Sequence, residues 1–372
     1  MERFASPRNK QRVMESLAKF RLAGPGYGAL VLSLDFELHW GVRDHEPING
    51  PYRQNLLGAR EAVPRLLEMF KRYEISATWA IVGFLFAESR EQRRKFEPAV
   101  LPRYYDKAFD PYTEPIGQGE KDDPLHFAPS LIEQIRRCPL QEVATHTFSH
   151  HYCCEPGQTA ESFKADLDSA IAIAADRGIR FHSIVFPRNQ VNPDYFQIVL
   201  DAGIGCYRGS EHGWMHRGIT RQERTVALRV ARIGDTYVDI SGNRIVRWDE
   251  ILEPNGLCNV RASRFLWPYR PALQGFEERR LSRTIDQLKL AALEDAVFHL
   301  WFHPHNFGIH LEQNLRFLEA IFKAFASARE RYGMRSLSMS AVAEMVRQEF
   351  RLRPTENERI VPPATRKESV PA

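Results

Sequence analysis

The sequence predicts an α/β fold, a (β/α) barrel of about seven parallel strands carrying two long insertions. Three observations predict it. Short apolar runs alternate with stretches of 3.6-residue apolar periodicity through most of the 372 residues, the signature of parallel βαβ units. No GxGxxG follows the first strand, which favours a barrel over a dinucleotide-binding open sheet. Polar residues collect at several strand ends, where a parallel barrel places its chemistry.

In chain order the strands are read at 29–36, "ISATWAIVG" (75–83), "EVATHT" (142–147), "HSIVFPRN" (182–189), "GIGCYRG" (203–209), "VFHLWFHP" (297–304) and "SLSMS" (336–340). Between them lie helical stripes: Val63, Leu66, Leu67 and Phe70; Phe163, Leu167, Ala170, Ile171 and Ala174; Leu315, Leu318, Phe322 and Phe325. Two segments break the rhythm, 85–128 and 210–273, and both are rich in Tyr, Phe and Trp. Long connections in a compact domain are usually functional or disordered, and aromatic ones suit the walls of a sugar site. A packed flap is the other reading of them. The barrel domain is placed at 27–352, after a basic, helical N-terminal arm (1–26) and before a disordered tail (353–372).

Bulk properties exclude several classes. Net charge is +4 and no Lys/Arg run is long enough to make nucleic acid the main partner. The arm holds six Arg/Lys against two Glu; it is read as a helix on the domain, an anionic membrane surface being its alternative seat. No window approaches the ~18 apolar residues of a membrane span, and the start lacks the apolar core of a signal peptide. The cysteines 138, 153, 154, 206 and 258 are odd in number and lack CxxC spacing, which suggests reduced thiols and a cytoplasmic protein.

The chemistry is concentrated in four places. In "GALVLSLDFELHWGV" (28–42), Asp35, Glu37 and His39 fall on one face of an extended strand whose Leu30–Leu34 portion reads as buried on both faces. Two carboxylates in such a position call for a cation or a catalytic purpose, an edge strand with a solvated face being the other reading. In "EVATHTFSHHYCCEPGQT", His146 and His150 stand four residues apart; a helical turn there would put both imidazoles on one metal. Arg188 ends the strand in "SIVFPRNQ" and is placed to hold a carboxylate ionised. In "AVFHLWFHPHNFG", His299, Trp301 and His303 share a face, and His303 at the strand end suits a general acid.

Taken together, the order of an acidic strand end, HTxxH, an Arg at a strand end and a final strand ending in His resembles the polysaccharide deacetylase family, the NodB homology domain of carbohydrate esterase family four. The resemblance spans roughly residues 28–345, with 85–128 and 210–273 as insertions, and it extends to deacetylases of bacterial surface-polysaccharide synthesis. It implies a distorted (β/α) barrel holding one divalent metal on a carboxylate and two histidines. Carried over, it makes Asp35 the general base, Glu37, His146 and His150 the metal ligands, Arg188 the residue orienting the base and His303 the general acid. "SLDFE" departs from the family's adjacent acidic pair, "TFDDG", and "FPRNQ" from its "RxPxG". The carboxylate that tunes the acid has no clear counterpart; Asp235, Asp239 and Glu211 are its candidates. Zinc is the default ion for two His and a carboxylate, while iron, cobalt, manganese and nickel suit the same donors.

The expected function is therefore metal-dependent removal of an N-acyl group, acetyl first, from a sugar. An export signal being absent from the sequence, the expected partner is a nucleotide-linked, lipid-linked or free oligosaccharide precursor, handled in the cytoplasm or at the inner face of the membrane. Two readings stand against it: hydrolysis of a cyclic amide or ureide, as in the allantoinase-like branch, and a barrel that binds metal or glycan without catalysis.

Overall fold

Strand β1 (Ala29–Phe36) is buried along its whole length, as its apolar run requires, and it organises the sheet. A computed structural model describes residues 24–211, 220, 226–237 and 242–351. Nine strands form one parallel sheet. They are β1, β2 (Ala77–Ile81), β3 (Gln141–Thr145), β4 (Ser183–Ile184), β5 (Cys206–Tyr207), β6 (Cys258–Asn259), β7 (Arg264–Phe265), β8 (Val297–Phe302) and β9 (Arg335–Leu337). Their order is β6-β5-β4-β3-β2-β1-β8-β7, and β9 pairs with β1. Residues 29–31 of β1 pair with β8 on one side and β9 on the other, and residues 32–36 pair with β2. β9 therefore fills the sheet beneath β2.

The two outermost strands, β6 and β7, are consecutive in the chain and joined directly through 260–263. Across that seam Ala262 N donates to Gly209 O, and Ser263 N to His299 O. The result is the distorted barrel expected. Both seam strands come from the segment 210–273, so part of that segment is barrel wall rather than insertion. β6 and β7 lie in "LCNVRASRFL", where polar residues interrupt the apolar ones, which is why seven strands are legible and nine form among the described residues.

Helices cover the outside: α1 (Arg53–Tyr73), α2 (Arg90–Lys95), α3 (Pro129–Arg137), α4 (Ala160–Ala175), α5 (Phe196–Asp201), α6 (Val226–Tyr237), α7 (Glu277–Leu293), α8 (Leu311–Tyr332) and α9 (Met339–Arg351). The apolar stripes of α1 and α8 meet over the sheet, where Phe70 lies 6.0 Å from Trp79 and 5.8 Å from Phe322 between ring centres. Burial of side chains this size contributes about 1.5–3 kcal/mol each. A capping box between Thr159 and Ser162 starts α4, and Gly333 in the left-handed region ends α8. The run 336–340 divides, its first residues finishing β9 and Met339 opening α9.

The aromatic segment 85–128 is largely packed. Phe86 and Phe127 enter the main core, while Tyr104 and Phe109 cluster with Tyr152. The arm up to residue 23, the tail from 352, the "HGWMHRG" stretch and Asp239 lie outside the described residues.

Candidate metal centre and active site

β1 ends at Phe36, and Leu38 takes a left-handed φ of 46° as the chain enters a 3₁₀ turn over Leu38–Gly41. Asp35 and Glu37 stay at the barrel mouth, but His39 is carried away to meet His126. The shared face predicted for all three thus holds for the carboxylates alone. Gly41 is needed by Glu37: a Cβ there would stand 1.9 Å from the Glu37 carboxyl carbon.

Glu37 faces the two histidines of HTFSH. Its Oε2 lies 3.3 Å from His146 Nε2 and 3.1 Å from His150 Nε2, with all three residues buried. The loop that brings them together is not the helical turn expected. Thr147 and His150 have φ of 62° and 60°, and the backbone is tied down by side chains. Asp166 of α4 accepts from Phe148 N (2.7 Å), Ser149 N (3.1 Å) and the Ser149 hydroxyl. Burial, opposed by those hydrogen bonds, pushes Asp166 up to about 6. Asp166→Ala would orphan two buried N–H groups at about 1–3 kcal/mol each. We expect that variant to unfold at lower urea concentration and to bind metal more weakly; unchanged metal affinity would mean the loop holds its shape without Asp166.

The donor set fits a divalent ion. His146 Nδ1 donates to Val185 O at 2.8 Å, so its Nε2 carries the lone pair, and this buried atom has no hydrogen-bond partner among the described residues. Burial lowers His150 to about 4 against the pull of Glu37, which keeps that ring neutral. Burial would raise Glu37, but His303, His146 and His150 hold it well below the ordinary range. An imidazole lone pair, a second buried imidazole nitrogen and a carboxylate converging on one point suit a divalent cation.

Asp35 is held otherwise. Arg208, fully buried just past β5, donates from Nη1 to Asp35 Oδ1 and from Nη2 to Oδ2, both at 2.7 Å. Its guanidinium also reaches Ser33 Oγ (3.0 Å) and Asn189 Oδ1 (2.9 Å) and lies 4.1 Å over the Trp301 ring. Burial would raise Asp35, yet Arg208, with His146 and His303 adding to it, leaves it lowered. Behind Ser33, His299 Nε2 contacts its hydroxyl at 2.8 Å while Nδ1 donates to Val260 O.

Arg188 does not reach Asp35 as expected. It turns to Asp44 at 2.5 Å and stacks over Tyr152 at 4.4 Å. Arg188 and Asn189 are both left-handed, and the reversal presents Asn189 rather than Arg188 to Arg208. The signal for Arg208 was present in "CYRG", an arginine at a strand end of the same kind as Arg188. Asp44, in the turn after the acidic strand, carried no such signal.

His303 Nε2 stands 3.7 Å from Asp35 Oδ2 and 3.5 Å from Glu37 Oε1. Its Nδ1 accepts from Asn306 Nδ2 at 3.3 Å, and Asn306 Oδ1 accepts from the Tyr52 hydroxyl at 2.8 Å. A neutral His303 therefore carries its proton on Nε2, facing the carboxylates. Of the carboxylates expected to tune it, Glu211 accepts from Phe265 N (2.7 Å) and Trp301 Nε1 (3.3 Å), and both Glu211 and Asp235 bind Arg244. Glu211 supports the ring walls around His303 from behind; the amide of Asn306 occupies the place expected for an acid.

The polysaccharide deacetylase family model matches residues 50–207, which takes in His146, His150 and Arg188 and leaves Asp35, Glu37 and His303 outside the match. A probable polysaccharide deacetylase from Pseudomonas aeruginosa PAO1 superposes with a TM-score of 0.53 at 12% identity, over 89% of this chain and 95% of that one. A Mycobacterium smegmatis protein provisionally assigned the same activity gives 0.52 at 14% identity, over 88% and 93%. At these identities the likeness is one of fold. No curated protein matches the sequence.

Proposed function

We propose, from the premise that this chain carries a polysaccharide deacetylase domain and is a hydrolase of carbon–nitrogen amide bonds, that it removes an N-acyl group, acetyl first, from a sugar in a glycan precursor. The observation that supports this most is the convergence of Glu37, His146 and His150 beside an Asp35 locked by Arg208 and a His303 whose Nε2 faces both acids. A divalent ion on the three ligands would supply Lewis acidity, acidifying a water and polarising the amide carbonyl.

The chain's own groups supply the rest. Asp35, ionised and fixed by two hydrogen bonds, takes the proton of the water that attacks the acyl carbon. As the C–N bond breaks, His303 gives its Nε2 proton to the departing nitrogen, because a deprotonated amine is a poor leaving group. Phe265 and Trp301, 5.8 and 5.6 Å from the His303 ring, form an apolar wall at that point. We assign an intracellular precursor, nucleotide- or lipid-linked or a free oligosaccharide. Among the described residues no helix is long and apolar enough to cross a membrane.

The test is metal content by mass spectrometry together with acetate release from N-acetylated sugars and ring opening of cyclic amides. Wild type should hold a divalent ion at this centre and release acetate, and His146→Ala/His150→Ala should lose both. Ring opening without acetate release would move the protein to the cyclic-amide hydrolases. A metal-loaded wild type inert to every substrate would make it a binding barrel.

A further inference from the structure

We propose that His39, Glu114 and His126 form a second divalent-metal site, separate from the catalytic centre, which fastens the 85–128 segment to the turn that carries Glu37. His39 Nδ1 and His126 Nε2 face each other at 2.9 Å, and Glu114 Oε1 lies 3.6 Å from the first and 3.9 Å from the second. Both rings are buried, at 1% and 0% exposure, whereas the Glu114 side chain is 20% exposed and leaves an entrance.

The outer nitrogens decide what the inner ones present. His39 Nε2 lies 3.0 Å from the carbonyl oxygen of Glu46, which can only accept, so Nε2 donates. His126 Nδ1 lies 2.8 Å from Asp123 Oδ2, a carboxylate that also accepts from Gly117 N at 2.7 Å, so Nδ1 donates there. In neutral rings the inner nitrogens are then both lone pairs, directed at one another and at a carboxylate oxygen. Three acceptors converging in a buried place repel unless a cation lies between them.

The geometry suits an ion. Ligands ~2.1 Å from one centre stand ~3.0 Å apart at right angles and ~3.4 Å apart at the tetrahedral angle, so the three separations need shifts of a few tenths of an ångström. A histidine whose far N–H is held by a carboxylate or a carbonyl is the usual setting of a metal-ligating imidazole. Two histidines and one carboxylate with an open position suit Zn²⁺.

The placement gives the site its purpose. His39 sits in the 3₁₀ turn directly after Glu37, and Glu114, Asp123 and His126 lie in the 85–128 segment. His39 N donates to Leu125 O (3.2 Å) and Trp40 Nε1 to His126 O (3.0 Å), so the two stretches already run side by side. An ion across them would fix the turn from which Glu37 projects.

The experiment uses the full chain bearing His146→Ala/His150→Ala, stripped with EDTA and reloaded with Zn²⁺ or Co²⁺. We expect one equivalent to return, a rise in thermal midpoint on loading, and a Co²⁺ spectrum free of thiolate charge transfer. Glu114→Gln, an isosteric change at a partly exposed side chain that keeps the fold, and His126→Ala, each in that background, should abolish retention. Wild type should then hold two equivalents. No ion in the double variant overturns the proposal and means that the two rings share a proton instead. Retention unaffected by Glu114→Gln and His126→Ala, or a thiolate band from the free cysteines, overturns it equally. One equivalent in both wild type and double variant would leave this site standing and remove the catalytic one, so the two readings fail separately.

Discussion

Arg208→Leu is expected to cost about 3–5 kcal/mol of stability and to lower kcat/KM about 10²–10⁴-fold. The pair it breaks is buried on both sides: Arg208 is 0% and Asp35 3% exposed. Removing the cation leaves a buried carboxylate without its principal counter-charge, and that penalty, rather than the worth of the pair, sets the cost. It also frees Ser33 and Asn189, which the same guanidinium holds. Urea unfolding measures the first effect and acetate release from an N-acetylated sugar the second. Asp35→Asn/Arg208→Leu should recover part of the stability and none of the activity, because it removes both charges. A loss under about 1 kcal/mol in the single variant would show that the Asp35 carboxylate is stable without the guanidinium and that the pair does not hold it. Arg188→Leu is the comparison: it takes the guanidinium from Asp44 and leaves the Asp35 pair whole. A larger fall in kcat for Arg188→Leu than for Arg208→Leu would return the orienting role to Arg188.

That reassignment shows what the sequence holds and where it stops. Strand ends are legible because burial makes their polar residues conspicuous: Asp35 and Glu37 after Leu34, His303 after Phe302. Which arginine serves which acid is not legible, since both candidates follow a strand directly. The choice depends on left-handed backbone at Arg188 and Asn189; asparagine is enriched in that region, but nothing in the sequence marks the arginine before it. HTFSH is a similar case. The i, i+4 spacing suggested a helix, and the two imidazoles do meet at one carboxylate oxygen. They meet through a loop fixed by Asp166, sixteen residues beyond His150 on another element. β6 and β7 escape detection for a different reason: β4 and β5 are as short but lie in longer apolar runs, whereas polar residues break "LCNVRASRFL", and the place of β6 and β7 is set by the closing of the barrel. Asn306, in place of the expected carboxylate, was in plain view in "FHPHNFG" but depended on Tyr52, which lies far away in sequence.

Asp35→Asn and Glu37→Gln should separate the two acids: the first retaining metal at the catalytic centre with nearly all turnover lost, the second losing that metal. Both carboxylates lie at the mouth of one strand, so proximity does not divide their roles; their partners do. Both oxygens of Asp35 are engaged by Arg208 at 2.7 Å, whereas Glu37 Oε2 faces the two histidine nitrogens at 3.1 and 3.3 Å. The absent Cβ at Gly41 gives the Glu37 carboxylate its room. An amide at position 37 keeps the shape and removes the charge that binds the ion, while at position 35 it removes the proton acceptor. Metal counting must be made in a His126→Ala background, so that an ion held by His39 and Glu114 is not mistaken for one at Glu37. If Asp35→Asn emptied the centre and Glu37→Gln did not, the roles would exchange, and Glu37, 3.5 Å from His303 Nε2, would become the base. That outcome would require Asp35 to leave Arg208 on metal binding, a movement that the buried bidentate pair opposes.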